Sequence, residues 1–119
     1  MNDMSEETER LLKRAESHDK DALGALFTRY APRLRRLVQL RLDRRLQGRI
    51  DVSDVLQDSY LDVIKSFPSY RRTPDRPFFV WLRCIVVRTL LDLHRRHLGA
   101  QARDAGRELS LNHGYFPEA

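Results

Sequence analysis

An all-α protein, a compact bundle of three to four helices without a sheet, is predicted by three observations. Apolar residues recur at i, i+3, i+4 and i+7 in successive stretches, capping Asp and Ser residues precede those stretches, and no alternating strand pattern appears. A chain of 119 residues suits one small domain. The segment from Glu7 to Ser17 places Leu11, Leu12 and Ala15 at helical spacing, and a turn at His18-Asp19 follows. Asp19 or Asp21 then caps a second helix whose stripe is Leu23, Leu26, Phe27, Tyr30, Leu34, Leu37 and Val38. Pro32 falls inside that pattern, so this helix is expected to continue with a kink and to end at Gly48 as C-cap. Asp51 or Ser53 caps a third helix with Val55, Leu56, Tyr60, Ile64 and Phe67 inward, which Pro68 is expected to end. Ser69 to Pro77 reads as a stiff cationic loop. A fourth helix runs from about Phe78 to Leu98, with Trp81, Leu82, Ile85, Val86, Thr89, Leu90 and Leu93 inward, and Gly99 closes it. The helical domain thus covers residues 1–99, and residues 100–119 read as a mobile tail or the start of a linker.

Composition narrows the function. The formal net charge of +5 comes from 22 Lys plus Arg against 17 Asp plus Glu, and 19 of those bases are arginine. Arginine's planar five-donor fork suits phosphates and base edges. The charge is also segregated. Eight arginines stand against Asp43 in residues 29–50, and residues 51–64 hold four aspartates and no base. Residues 65–98 then hold eight bases against Asp75 and Asp92. An acidic segment between two basic ones points to two surfaces of opposite sign. No apolar run approaches a membrane span, the first residues are acidic rather than a signal peptide, and the single Cys84 makes no internal disulfide. A cytoplasmic protein with no membrane partner is expected.

Enzyme patterns are missing: there is no glycine-rich phosphate loop, no nucleophile with a placed base, and no carboxylate pair in apolar surroundings. His94 and His97 have the i, i+3 spacing of two metal ligands, but nothing completes a site, so no metal, cofactor or catalysis is expected. Two constellations remain. Asp54, Gln57, Asp58 and Leu61 share one face of the third helix, with Asp51 at its entrance and Asp62 to one side. Aspartates in a first turn also complement the helix dipole, which accounts for Asp51 and Asp54 but not for the patch continuing beyond them. Tyr70, Arg71, Arg72 and Arg76 precede Phe78, Phe79 and Trp81, the interleaving of cations and aromatics that unpaired nucleic acid requires. Trp81 equally fits a core position. Arg88, Asp92, Arg95 and Arg96 continue along the fourth helix, where a solvated face with an internal ion pair is the plainer account.

These residues together carry a resemblance. Leu12, Arg14, Ala15, Asp19, Ala22-Leu23, Leu26-Phe27 and Tyr30 are followed by Asp51-x-x-Asp54-Val-Leu-Gln57-Asp58-Ser-Tyr60. Phe67, a basic loop, Trp81-Leu82-x-x-Ile85 and Leu91-Asp92-x-x-Arg95-Arg96 complete the order. The order resembles region two of the extracytoplasmic-function (ECF) group of bacterial RNA polymerase sigma factors, over residues 8–98.

The resemblance implies a non-enzymatic transcription-initiation module with two partners. Asp51, Asp54, Gln57, Asp58 and Leu61 would dock on the clamp helices of the largest subunit of the RNA polymerase core. Tyr70, Arg71, Arg72, Arg76, Trp81, Arg88, Asp92, Arg95 and Arg96 would bind promoter DNA, open the minus-ten element and hold bases of the non-template strand. An anti-sigma factor is a further partner of this kind of protein. Many family members have Asn at the position of Arg88, so the preferred minus-ten sequence does not carry over. The family's C-terminal helix-turn-helix domain has no counterpart after Gly99. The competing reading is an all-α interaction module, a decoy that binds polymerase or an anti-sigma factor without opening DNA.

Overall fold

Short side chains at the helix starts set the boundaries of the first three helices. In a computed structural model, which describes residues 5–113, Ser5 accepts a hydrogen bond from the Thr8 amide and opens α1, Glu6–Glu16. Asp19 accepts from the Asp21 and Ala22 amides and opens α2, Lys20–Arg41. Asp51 accepts from the Ser53 amide and opens α3, Val52–Arg72. Each cap satisfies amide donors that the helix itself leaves unpaired. Between α1 and α2, His18 adopts a left-handed φ of 67°, which turns the chain back sharply. α4, Phe78–His113, follows the five residues after α3. The fold class is as expected, with four helices and no strand among the described residues.

Three expected boundaries are corrected. α2 continues through Pro32 but stops at Arg41, well before Gly48. A 3-10 turn, Arg44–Leu46, follows it, and Gly48 takes its φ of 87° in the bend beyond that turn. Asp43 caps the turn, and its own amide donates to His94 Nε2 at 3.2 Å, tying the turn to α4. α3 runs through Pro68 to Arg72, so Tyr70, Arg71 and Arg72 belong to a helix rather than a loop. A proline inside a helix costs about 3 kcal/mol, but burying Phe67 and Tyr70 on either side returns about 1.5–3 kcal/mol for each. α4 likewise passes Gly99, whose helix penalty of about 1 kcal/mol is too small to end it. Residues 100–113, expected in a tail, are therefore helical, and residues 114–119 lie outside the described residues.

Packing joins α1 to α2, α2 to α3 and α4, and α3 to α4, with the 3-10 turn resting on α4. Leu12, Leu26, Leu34, Val38, Val55, Val63, Leu82 and Val86 are fully buried at the centre. One inward position differs from expectation: Ile64 is 47% exposed and Val63 takes its place. Val63 continues the line of Leu56, Ser59, Phe67 and Tyr70, and Ile64 lies off it. The Thr8 and Tyr30 hydroxyls, 3.2 Å apart, link α1 to α2 inside the core.

Candidate functional site

The first half of α3 divides cleanly. Val55, Leu56 and Ser59 are buried, and the Ser59 hydroxyl donates to the Val55 carbonyl at 2.7 Å, so no polar group is left open on that side. Asp54, Gln57 and Asp58 are exposed on the other side, and Leu61 beside them is 61% exposed. Ile64, one turn on and 47% exposed, extends this apolar surface beside the acidic row. Asp51 is exposed too, but its carboxylate is engaged as the N-cap, accepting from Ser53 at 2.9 Å.

At the other end of α3 an aromatic cluster forms. Tyr70 and Trp81 stack with ring centroids 4.5 Å apart and planes 17° apart. Phe67 and Phe78 close around Trp81 at 6.2 and 5.8 Å. Tyr70 is only 7% exposed, and its hydroxyl donates to the Arg76 carbonyl at 2.6 Å, which pins the five-residue loop onto α3. Burial pushes the Tyr70 phenol above its usual range. Phe78 and Phe79 are core residues, and the Arg33 guanidinium lies over the Phe79 ring at 3.8 Å. Trp81 stays half-buried and keeps part of its surface open.

Beside Trp81 a cavity of about 530 Å³ opens between α3, the loop and α4, and it gathers Tyr70, Arg76, Trp81 and Arg88. Lys65, Ser66, Ser69 and Cys84 also line it. Sequence reasoning missed those four, although the i, i+4 spacing of Lys65 and Ser69 on the face leading to Tyr70 was a usable signal. Arg76 forms a two-pronged pair with Asp75, at 3.0 and 2.7 Å, and also donates to Cys84 Sγ at 3.3 Å. The Arg76 guanidinium holds the Asp75 carboxyl below the usual carboxylate range.

The remaining residues expected on the nucleic-acid surface are scattered. Arg71 pairs with Glu16 and so ties the end of α3 to α1. Arg72 is exposed beside it, near His18. Arg95 pairs with Asp92 one turn back on α4 and reaches a larger groove with Arg41, Arg83 and Leu91, which shares Cys84 and Arg88 with the cavity beside Trp81. Asp92 lines that groove too, and on its other side Asp92 joins Arg96 in a small cleft with Asp58, Leu61 and Asp62. No group of His, Cys, Asp or Glu among the described residues is arranged to hold a metal ion. No helix among them is long and apolar enough to cross a membrane.

An all-helical domain with an acidic helix face and an aromatic, arginine-lined cavity matches one family model: residues 26–98 fit the model described as Sigma-70 region 2. The chain belongs to that family. It is also 31% identical over 93 residues to the ECF RNA polymerase sigma-E factor of Haemophilus influenzae. That similarity covers 78% of this chain and 43% of the relative, so the chain spans less than half the length of the curated protein it matches.

Proposed function

We propose that this chain is the polymerase-docking and promoter-opening module of an ECF sigma factor and has no catalytic role of its own. The exposed row Asp54, Gln57, Asp58 and Leu61 on α3 carries the reading, because burial of the opposite stripe leaves these side chains available to a basic partner. The partner is the clamp-helix surface of the RNA polymerase core, where desolvated charge pairs give orientation and specificity. The cavity beside Trp81 takes the non-template strand of the minus-ten element, with phosphates toward Arg76 and Arg88, a base against the open part of Trp81, and the exposed Arg72 outside the cavity meeting the strand's continuation. Holding unpaired strand shifts the closed–open equilibrium of the promoter without bond chemistry.

The double variant Asp54→Arg, Asp58→Arg tests docking. It is expected to lose capture by a clamp-helix fragment of the polymerase while keeping its helical circular dichroism. Undiminished capture overturns the docking surface.

A second reading, an interaction module that binds polymerase or an anti-sigma factor without opening DNA, draws support from the closure of Tyr70 and Phe78 in the core. A promoter carrying a fluorescent base analogue in its minus-ten element separates the two. Fluorescence that rises with core polymerase plus this chain supports opening, and a flat signal despite polymerase binding supports the second reading.

A further inference from the structure

Where α3 and α4 diverge from their connecting loop, two rows of side chains face each other across a cleft of about 240 Å³. α3 contributes Asp58, Leu61 and Asp62 at i, i+3 and i+4, and α4 contributes Thr89, Asp92 and Arg96 at i, i+3 and i+7. The short loop makes the two helices antiparallel, which is why the first half of α3 meets the stretch of α4 beyond Thr89. The cleft is smaller than the roughly 300–1,000 Å³ of small-molecule sites. It is of a size to take one side chain.

Its chemistry favours a cation. Three carboxylates stand against one guanidinium, and the Asp92 pair with Arg95 is solvent-exposed, so exchanging that partner costs little. At the cleft wall Thr89 is 9% exposed, and its Oγ1 has no hydrogen-bond partner among the described residues. A buried hydroxyl without a partner is costly, and rotation of the Thr89 side chain toward an N–H donor in the cleft removes that cost. Leu61, 61% exposed on the rim, offers apolar surface to the methylene stem of a long basic side chain. The same carboxylates repel a phosphate backbone.

We infer that this cleft receives a lysine or arginine side chain from the basic protein that docks on α3, with Asp62, Asp92 and Thr89 as binding residues beyond the acidic row. The inference rests on the docking surface proposed above and extends it from α3 onto α4. It also moves Asp92 from the nucleic-acid surface to the protein surface.

The experiment measures binding of the full chain to RNA polymerase core and to single-stranded minus-ten DNA. Asp62→Asn and Asp92→Asn are each expected to weaken polymerase binding about thirtyfold, the low end of the loss for one partner of a charge pair buried by docking. Thr89→Val is expected to weaken it by a smaller factor without lowering the melting temperature, and Thr89→Ser is expected to retain wild-type affinity. DNA affinity is expected to stay unchanged in Asp92→Asn. Polymerase binding that survives in Asp62→Asn and Asp92→Asn but is lost in Asp54→Arg, Asp58→Arg overturns the cleft while leaving the docking face standing. Binding that survives in all of these variants overturns both. A change in DNA affinity alone for Asp92→Asn returns that residue to the nucleic-acid surface and likewise overturns the inference.

Discussion

Tyr70 is the residue on which the aromatic cluster and the loop depend together. Its ring stacks on Trp81, and its hydroxyl holds the Arg76 carbonyl at 2.6 Å. Tyr70→Phe keeps the stack and removes the hydrogen bond, leaving a carbonyl that water can reach. The expected loss is about 1 kcal/mol, a fall of roughly 4–8 °C in melting temperature for a domain near this size. Thermal circular dichroism checks it, and an unchanged midpoint would show that the loop is held by the Arg76 contact to Cys84 Sγ instead. Asp43 makes a second prediction. The hydrogen bond from the Arg45 side chain, aided by the Arg45 amide, holds its carboxyl at about 2, below the ordinary aspartate value of 3.8. A lowered pKa means that the contribution is complete above the unfolded-state value and is lost as pH falls through the folded-state value. The difference in denaturant midpoint between wild type and Asp43→Asn should therefore be largest near pH 5 and shrink between pH 3.8 and about 2. A difference that stays constant across that range would exclude Asp43 as the titrating group.

At the scale of the helices, Pro68 tests local preference against packing. Its ring costs α3 about 3 kcal/mol, and Phe67 and Tyr70, 5% and 7% exposed, outweigh it only because both reach the core. Pro68→Ala, at an exposed position, is expected to raise stability by about 1–3 kcal/mol, read as a higher midpoint in chemical denaturation. A lower midpoint would mean that the proline's bend is what seats Tyr70. The same residues explain what the sequence did and did not disclose. The caps, narrowed to Asp19 or Asp21 and to Asp51 or Ser53, the stripes of α2 and α4, and the shared face of the acidic row follow from spacing alone, because period and capping are local. Proline and glycine are local breakers as well, and at Pro68 and Gly99 they predicted ends that burial and neighbouring helix formers overrode. The assignment of Tyr70 to an open loop failed for that reason. The cleft of Asp58, Asp62, Thr89, Asp92 and Arg96 joins residues from two helices, and no periodicity within either one reveals it.

For the molecule as a whole, charge segregation becomes a statement about distance. Asp54 and Arg72 lie at opposite ends of α3, about 27 Å apart at 1.5 Å per residue. At physiological salt the Debye length is about 8 Å, so the acidic row and the loop-end arginines act on their partners independently. Arg72→Ala with Arg76→Ala is expected to lower the slope of log affinity against log salt for single-stranded minus-ten DNA by at most about one unit per lost phosphate contact. Asp54→Asn with Asp58→Asn avoids adding cations and should leave that slope unchanged while weakening polymerase binding. The four-fold variant should then show both losses, with polymerase-binding free energies additive within about 0.5 kcal/mol. Coupling well beyond that would mean that one surface acts through the other, and α3 would be a lever between two sites rather than a rigid spacer. Arg71 is left out of the set because its pair with Glu16 joins α3 to α1, so its loss would mix a change in stability with a change in binding.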